Sequence, residues 1–201
     1  MDIGAYITDY IDHYREPARQ EMKFYAQQSS LSAAISVAAS CRCANGKRHP
    51  HQRRIPRAVL ARVEQRLLSR SEAISEVKDF ESLLTLVDDF TVDIRGIGEL
   101  AVYDIAHRIG AYLRLAPEKV YLHAGTRVGA RALGFSGSVV ERAKFGPAFA
   151  DLSAAEIEDF LCIFKGALRG GDPIAGACKG AFSVGGCFDD DQNYGRGCEG
   201  A

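Results

Sequence analysis

The chain has 201 residues, 25 basic and 26 acidic, for a net charge of −1. So balanced a charge excludes a global field that draws the protein onto nucleic acid, and any such binding must come from local patches. No run reaches the roughly 18 apolar residues of a membrane span, and the N-terminus (MDIGAYITDYIDHY) lacks the basic and apolar regions of a secretion signal, so the expected setting is cytoplasmic, with no membrane partner. Without such a signal, the six cysteines (Cys41, Cys43, Cys162, Cys178, Cys187, Cys198) suggest free thiols or a metal site more than a disulfide frame.

The pattern along the chain is helical almost throughout. Ile3, Ile7, Tyr10 and Tyr14 make one stripe of a helix over 3–15, and Pro17 sits where a second helix can start. Residues 18–39 read as helix, with small residues from Ser29 to Ala39, before the turn signal Ala44-Asn45-Gly46. The segment 45–71 is basic. It holds Lys47, Arg48, Arg53, Arg54, Arg57, Arg62, Arg66 and Arg70 against one acid, Glu64, on a helix begun near Pro56. Such a segment either tracks phosphates or forms a solvated helix face. Further helices are expected over 72–89 and 99–115. Helix 151–168 opens with a capping box of Ser153 and Glu156 and a hydrophobic staple of Leu152 and Ile157. The sequence therefore predicts an all-α fold: one compact helical domain over 1–170 and a partly irregular tail over 171–201, rich in Gly, Cys and Asp.

The stretch of most functional interest is Asp93–Gly134, whose Gly96-Ile97-Gly98 turn opens a helix. A helix begun by glycines presents unpaired N–H groups and a positive dipole end, which suit a phosphate. One reading is a dinucleotide fingerprint, with a strand over 90–95 before G-x-G-x-x-A, although no acid for the ribose follows at His123-Ala124-Gly125. The second is a helix-hairpin-helix turn, made by Ile94, Gly96, Ile97 and Gly98, whose N–H groups hold DNA backbone without reading sequence. The third is a tight turn with no ligand.

Three pieces, in order, resemble the helix-hairpin-helix DNA glycosylases of the endonuclease III type. Ala26-Gln27-Gln28-Ser29 is similar to that family's glutamine motif, Ile94–Gly98 to its hairpin turn, and Val120–Gly134 to the segment carrying its catalytic aspartate. The resemblance implies that Gln28 sits near an extruded base and that the turn grips DNA. Leu100 stands where bifunctional members carry lysine, and Leu122 or His123 where the aspartate falls. The tail cysteines do not fit the family's iron–sulfur loop, so no cofactor is expected.

Around this core, Cys41, Cys43, His49 and His51 are possible zinc ligands at an unusual finger spacing; no metal site is assigned to them. Asp104 and His107, three apart, share a helix face and read more readily as a surface pair than as acid–base partners. His123, Thr126 and Arg127 suit an oxyanion or phosphate, unless Thr126 only caps a helix. The expected function is DNA binding through the backbone, without glycosylase chemistry. The expected contacts are Gly96, Ile97, Gly98, Arg95, Gln28, Lys47, Arg48, Arg53, Arg54, His123, Thr126, Arg127 and Arg131. The alternatives are a divergent glycosylase whose acid is Asp93 or Asp104, and a helical interaction module without nucleic acid.

Overall fold

The computed structural model describes residues 2–170, so the predicted tail over 171–201 lies outside the described residues. The fold is a mostly helical compact domain with one small sheet. Helix α1 (Ile3–Tyr10) passes through a π-helical turn (Ile11–Arg15) directly into α2 (Glu16–Ala26), with Pro17 in the first turn of α2, beside the π-helical turn. The run 18–39 is not one helix. Ser30 turns to extended backbone and accepts a hydrogen bond from Ala33 N–H at 3.1 Å, starting α3 (Leu31–Ala39).

After the loop that carries His49 and His51 come α4 (Arg57–Leu68), α5 (Ser71–Glu76) and α6 (Phe80–Thr91). The expected helix over 72–89 is likewise divided, because Asp79 caps α6 through Ser82 N–H at 2.7 Å. Helix α7 (Glu99–Leu113) follows the glycine turn and packs on α2, α3 and α6. Strand β1 (Lys119–Tyr121), α8 (Ala124–Ala132), β2 (Val139–Glu141), α9 (Ala154–Ile163) and α10 (Lys165–Leu168) complete the described chain. The capping box at Ser153 and Glu156 forms as the sequence predicts, and Leu152 and Ile157 are both fully buried.

Two observations remove the dinucleotide reading. Phe90 and Thr91 end α6 rather than form a strand, and β1 pairs antiparallel with β2, Val120 opposite Val140. A doubly wound sheet needs parallel strands with helical crossovers.

Apolar side chains gather in two clusters. One joins Ile7 and Tyr10 of α1 to β1, β2 and α9 around Phe160; the other joins α3, α4, α6 and α7 around Ile105 and Ile109. Close approach is built in at Gly129 of α8, where a Cβ would lie 2.3 Å from Leu161 O of α9. Among the described residues, no helix is long and apolar enough to cross a membrane.

Candidate functional site

A cavity of about 820 Å³ is lined from α2, the 49–51 loop, α7, the start of α8 and α9, which draw on both apolar clusters. That is within the usual size range of small-ligand sites. The polar face of α7 supplies Tyr103, Asp104, His107 and Arg108; α2 supplies Glu21; α9 supplies Glu158, Asp159 and Cys162.

Asp104 is the hub. Its Oδ2 accepts from His51 Nε2 at 2.9 Å and from Gln52 Nε2 at 2.7 Å, with Arg108 Nη2 at 3.7 Å. Burial pushes its carboxyl up, but the His51 hydrogen bond and the charges of Arg108 and His51 more than offset this and hold it below the usual carboxylate range. Arg108 is itself buried; it donates to Gln52 Oε1 at 2.9 Å and lies over the Tyr25 ring. Asp104 is thus a cavity carboxylate, not half of an exposed pair. His107 is pushed down to about 4 by burial, with Arg108 acting in the same sense and Asp104 opposing.

On the opposite wall Asp159 is shifted the other way. Burial, then the neighbouring charges of Glu158, Asp104 and Glu21, raise it well above the carboxylate range, while Tyr10 OH donates to its Oδ2 at 3.4 Å. One cavity therefore holds two carboxyls whose pKa values are pushed in opposite directions, the separation on which acid–base chemistry depends. His123 Nε2 lies 3.0 Å from Glu158 Oε1. Burial lowers the His123 pKa, but Glu158 overrides that and the net direction is upward.

Several buried polar atoms on these walls have no hydrogen-bond partner among the described residues: Glu21 Oε2, Tyr103 OH and His123 Nδ1. Buried polar groups are nearly always paired, and leaving one unpaired costs on the order of 1–3 kcal/mol. The three atoms belong to residues that line one cavity, and each is itself closed off from the cavity space.

The possible zinc ligands separate. His51 is on Asp104 and the Cys41 thiol turns to Ala39 O, whereas His49 pairs with Glu21 and accepts or donates to Tyr25 OH at 3.1 Å. Glu21, Cys43 and His49 do place ligand atoms within 4.8 Å of one another, but Cys43 is disulfide-bonded and offers no thiolate.

Of the contacts expected from sequence, His123 alone lines this cavity. Lys47, Arg48 and Arg53 line a second one, described below. Gly96 has φ 101° and needs to be glycine, whereas Gly98 has φ −117° and a Cβ there would meet nothing within 4 Å. The turn is braced by Ile94, which is buried, and Ile97, which packs on the second cluster. Arg127 makes a bidentate pair with Glu99 at 2.6 Å, and Thr126 is buried, accepting from His123 N–H at 2.8 Å and so capping α8. Gln28 folds back to Phe24 O at 2.8 Å. Arg54, Arg95 and Arg131 are exposed, and Gln28, Gly98 and Arg127 do not converge on the cavity. Asp93, also exposed, is held by Arg66 and Arg62 and stands outside it.

Glu21, Tyr103, Arg108, Glu158 and Asp159 line the cavity and were not singled out from sequence; for the last three a signal exists. That signal is charge inside otherwise apolar helix faces: Arg108 between Ile105 and Ile109, and Glu158 and Asp159 between Ile157 and Phe160. Comparison of the chain with protein-family models, curated proteins and solved structures gives no match.

Proposed function

We propose that this protein binds DNA through the Gly96–Gly98 turn and admits one nucleobase to the central cavity, where Asp104 supports hydrolysis of the base–sugar bond. The observation that carries the reading is the set of ionisable side chains, Asp104, His123, Glu158 and Asp159, on the walls of a cavity of about 820 Å³. A heterocycle with donors and acceptors on its edge suits such a wall. Leu100, two residues beyond Gly98, lies on that wall, and His51 brings the basic segment to it, so the two features suited to phosphate adjoin one cavity.

In the proposed reaction, water adds its hydroxyl to the sugar C1 and the base leaves. Asp159, whose surroundings favour the neutral carboxyl, gives its proton to the departing base nitrogen and recovers one from the attacking water. Ionised Asp104 stabilises the cationic charge that develops on the sugar. Asp104 thus fills the role for which the resemblance offers only Leu122 or His123.

The test uses fluorescence anisotropy with labelled duplexes, together with a base-release assay on duplexes carrying modified bases. The expected result is salt-dependent binding and release from at least one lesion, with Asp104→Asn retaining binding and losing release. Wild-type protein that binds no duplex overturns the reading. Binding without release from any lesion reduces it to backbone gripping alone, the reading that Leu100 and Leu122 favour.

A further inference from the structure

A second cavity, of about 500 Å³, is lined by residues of the 40–53 segment and of α4. Arg42, Lys47, Arg48, Arg53 and Arg57 line it, and Glu64 is the one carboxylate among the described lining residues. None of these residues lines the central cavity.

The local fold gathers these cations on a fixed frame. Arg42 and Arg48 pair as an antiparallel bridge, closed by a turn in which Cys43 N–H donates to Lys47 O at 2.9 Å and Gly46 takes φ 75°. Among the described residues, the guanidinium groups are then aimed by main-chain carbonyls. Arg48 donates to Ile55 O at 2.8 Å and Arg53 O at 3.3 Å, Arg53 Nε to Arg48 O at 3.2 Å, and Arg42 to Gly46 O at 3.3 Å. A carbonyl fixes the direction of a guanidinium without cancelling its charge, and the remaining donors of the fork stay available.

Arg57 adds a further observation. It is the first residue of α4, a 12-residue helix whose N-cap, Pro56, makes no side-chain cap and whose first turn holds no acid. The positive end of a helix disfavours a cation, so Arg57 costs stability where it stands. Arginines gathered at a positive helix end suit an anion that spans them.

We propose that this basic cavity seats consecutive phosphates of a nucleic-acid strand, as a grip separate from the Gly96–Gly98 turn. The proposal rests on the DNA-binding reading for the identity of the phosphate-bearing chain. The shared chemistry is the phosphate anion, so the experiment also includes a free polyphosphate.

The variant is Arg53→Glu with Arg57→Glu. Both positions are exposed, and glutamate suits the first turn of α4, so the fold is retained. Duplex binding is followed by anisotropy across a salt series, and inorganic tripolyphosphate binding by thermal protection. The expected result is at least a tenfold loss of duplex affinity, a log–log salt slope shallower by about 2, and loss of tripolyphosphate protection in the variant. Equal affinity and slope in variant and wild type overturn the proposal, as does a wild type that binds neither probe. Tripolyphosphate protection lost in the variant, with no duplex binding by either protein, overturns the nucleic-acid assignment in favour of a free polyphosphate. Duplex binding lost in the variant, with no base release by wild type, supports this site while removing the hydrolytic reading of the central cavity.

Discussion

Gly98→Asp separates a turn kept for shape from one kept for a ligand. Gly98 is the N-cap of α7 at φ −117° and ψ 173°, extended backbone that aspartate adopts freely, and an added Cβ meets nothing within 4 Å. Aspartate at an N-cap accepts from the first-turn N–H groups, a gain over glycine of a few tenths of a kcal/mol, while Glu99 beside it opposes the added charge. The net expectation is a Tm unchanged or raised by about 1–2 °C. A phosphate held by the same N–H groups would meet a carboxylate in its place. At an effective dielectric of about 20, two charges 4–8 Å apart repel by roughly 2–4 kcal/mol, and the lower figure corresponds to a loss of affinity of about thirtyfold. Thermal unfolding and anisotropy titration at several salt concentrations read the two effects separately. Unchanged DNA affinity in a folded variant would refute the argument for the turn, and a Tm lowered by several degrees would refute the claim that the fold does not need glycine there.

Other consequences concern the central cavity. Tyr103→Phe removes a buried hydroxyl without a partner among the described residues, so the variant is expected to be more stable by about 1 kcal/mol; reduced stability in chemical denaturation would contradict this. His107 protonates near 6.5 in the unfolded chain but near 4 in the fold, so the unfolded state binds more protons between these values and stability falls as pH drops from 6.5 to 4. The loss attributable to it is at most about 3 kcal/mol, and His107→Gln is expected to flatten that part of the profile; an identical profile would remove His107 as its source. Asp104, held low, contributes stability above its unfolded pKa that is lost as pH falls through its folded one, so Asp104→Asn is expected to lose stability relative to wild type at neutral pH while flattening the acid limb, measured by denaturation at pH 7 and pH 3.

The helices were legible where a local rule acted alone. The capping box at Ser153 and the apolar stripe of α9 sit as the sequence implies. Ser30 and Asp79 were passed over because each lies within a longer apolar period, and a side-chain oxygen bonding a nearby N–H breaks a helix without disturbing that period. The basic segment was visible as composition, but its closure around a cavity depends on the Arg42–Arg48 bridge, which no periodicity announces. The central cavity was the least legible. Its carboxylates come from α2, α7 and α9, so residues more than 130 positions apart, such as Glu21 and Glu158, become neighbours only through tertiary packing. The Asp104–His107 spacing was apparent, but its burial was not, because spacing gives a helix face and does not say what covers it.

The π-helical turn at Ile11–Arg15 joins α1 and α2 into one rod, with Tyr10 at the first cluster and Glu21 at the cavity. Each residue of an α-helix advances about 100° around the axis, so the number of residues in the wider turn acts as a phase setting between the two ends of the rod. Deleting one residue there would leave α1 seated and rotate α2 by about that angle, carrying Glu21 and Tyr25 away from Arg108 and His49. The chemistry of the cavity wall is thus indexed by a length of backbone that does not line the cavity.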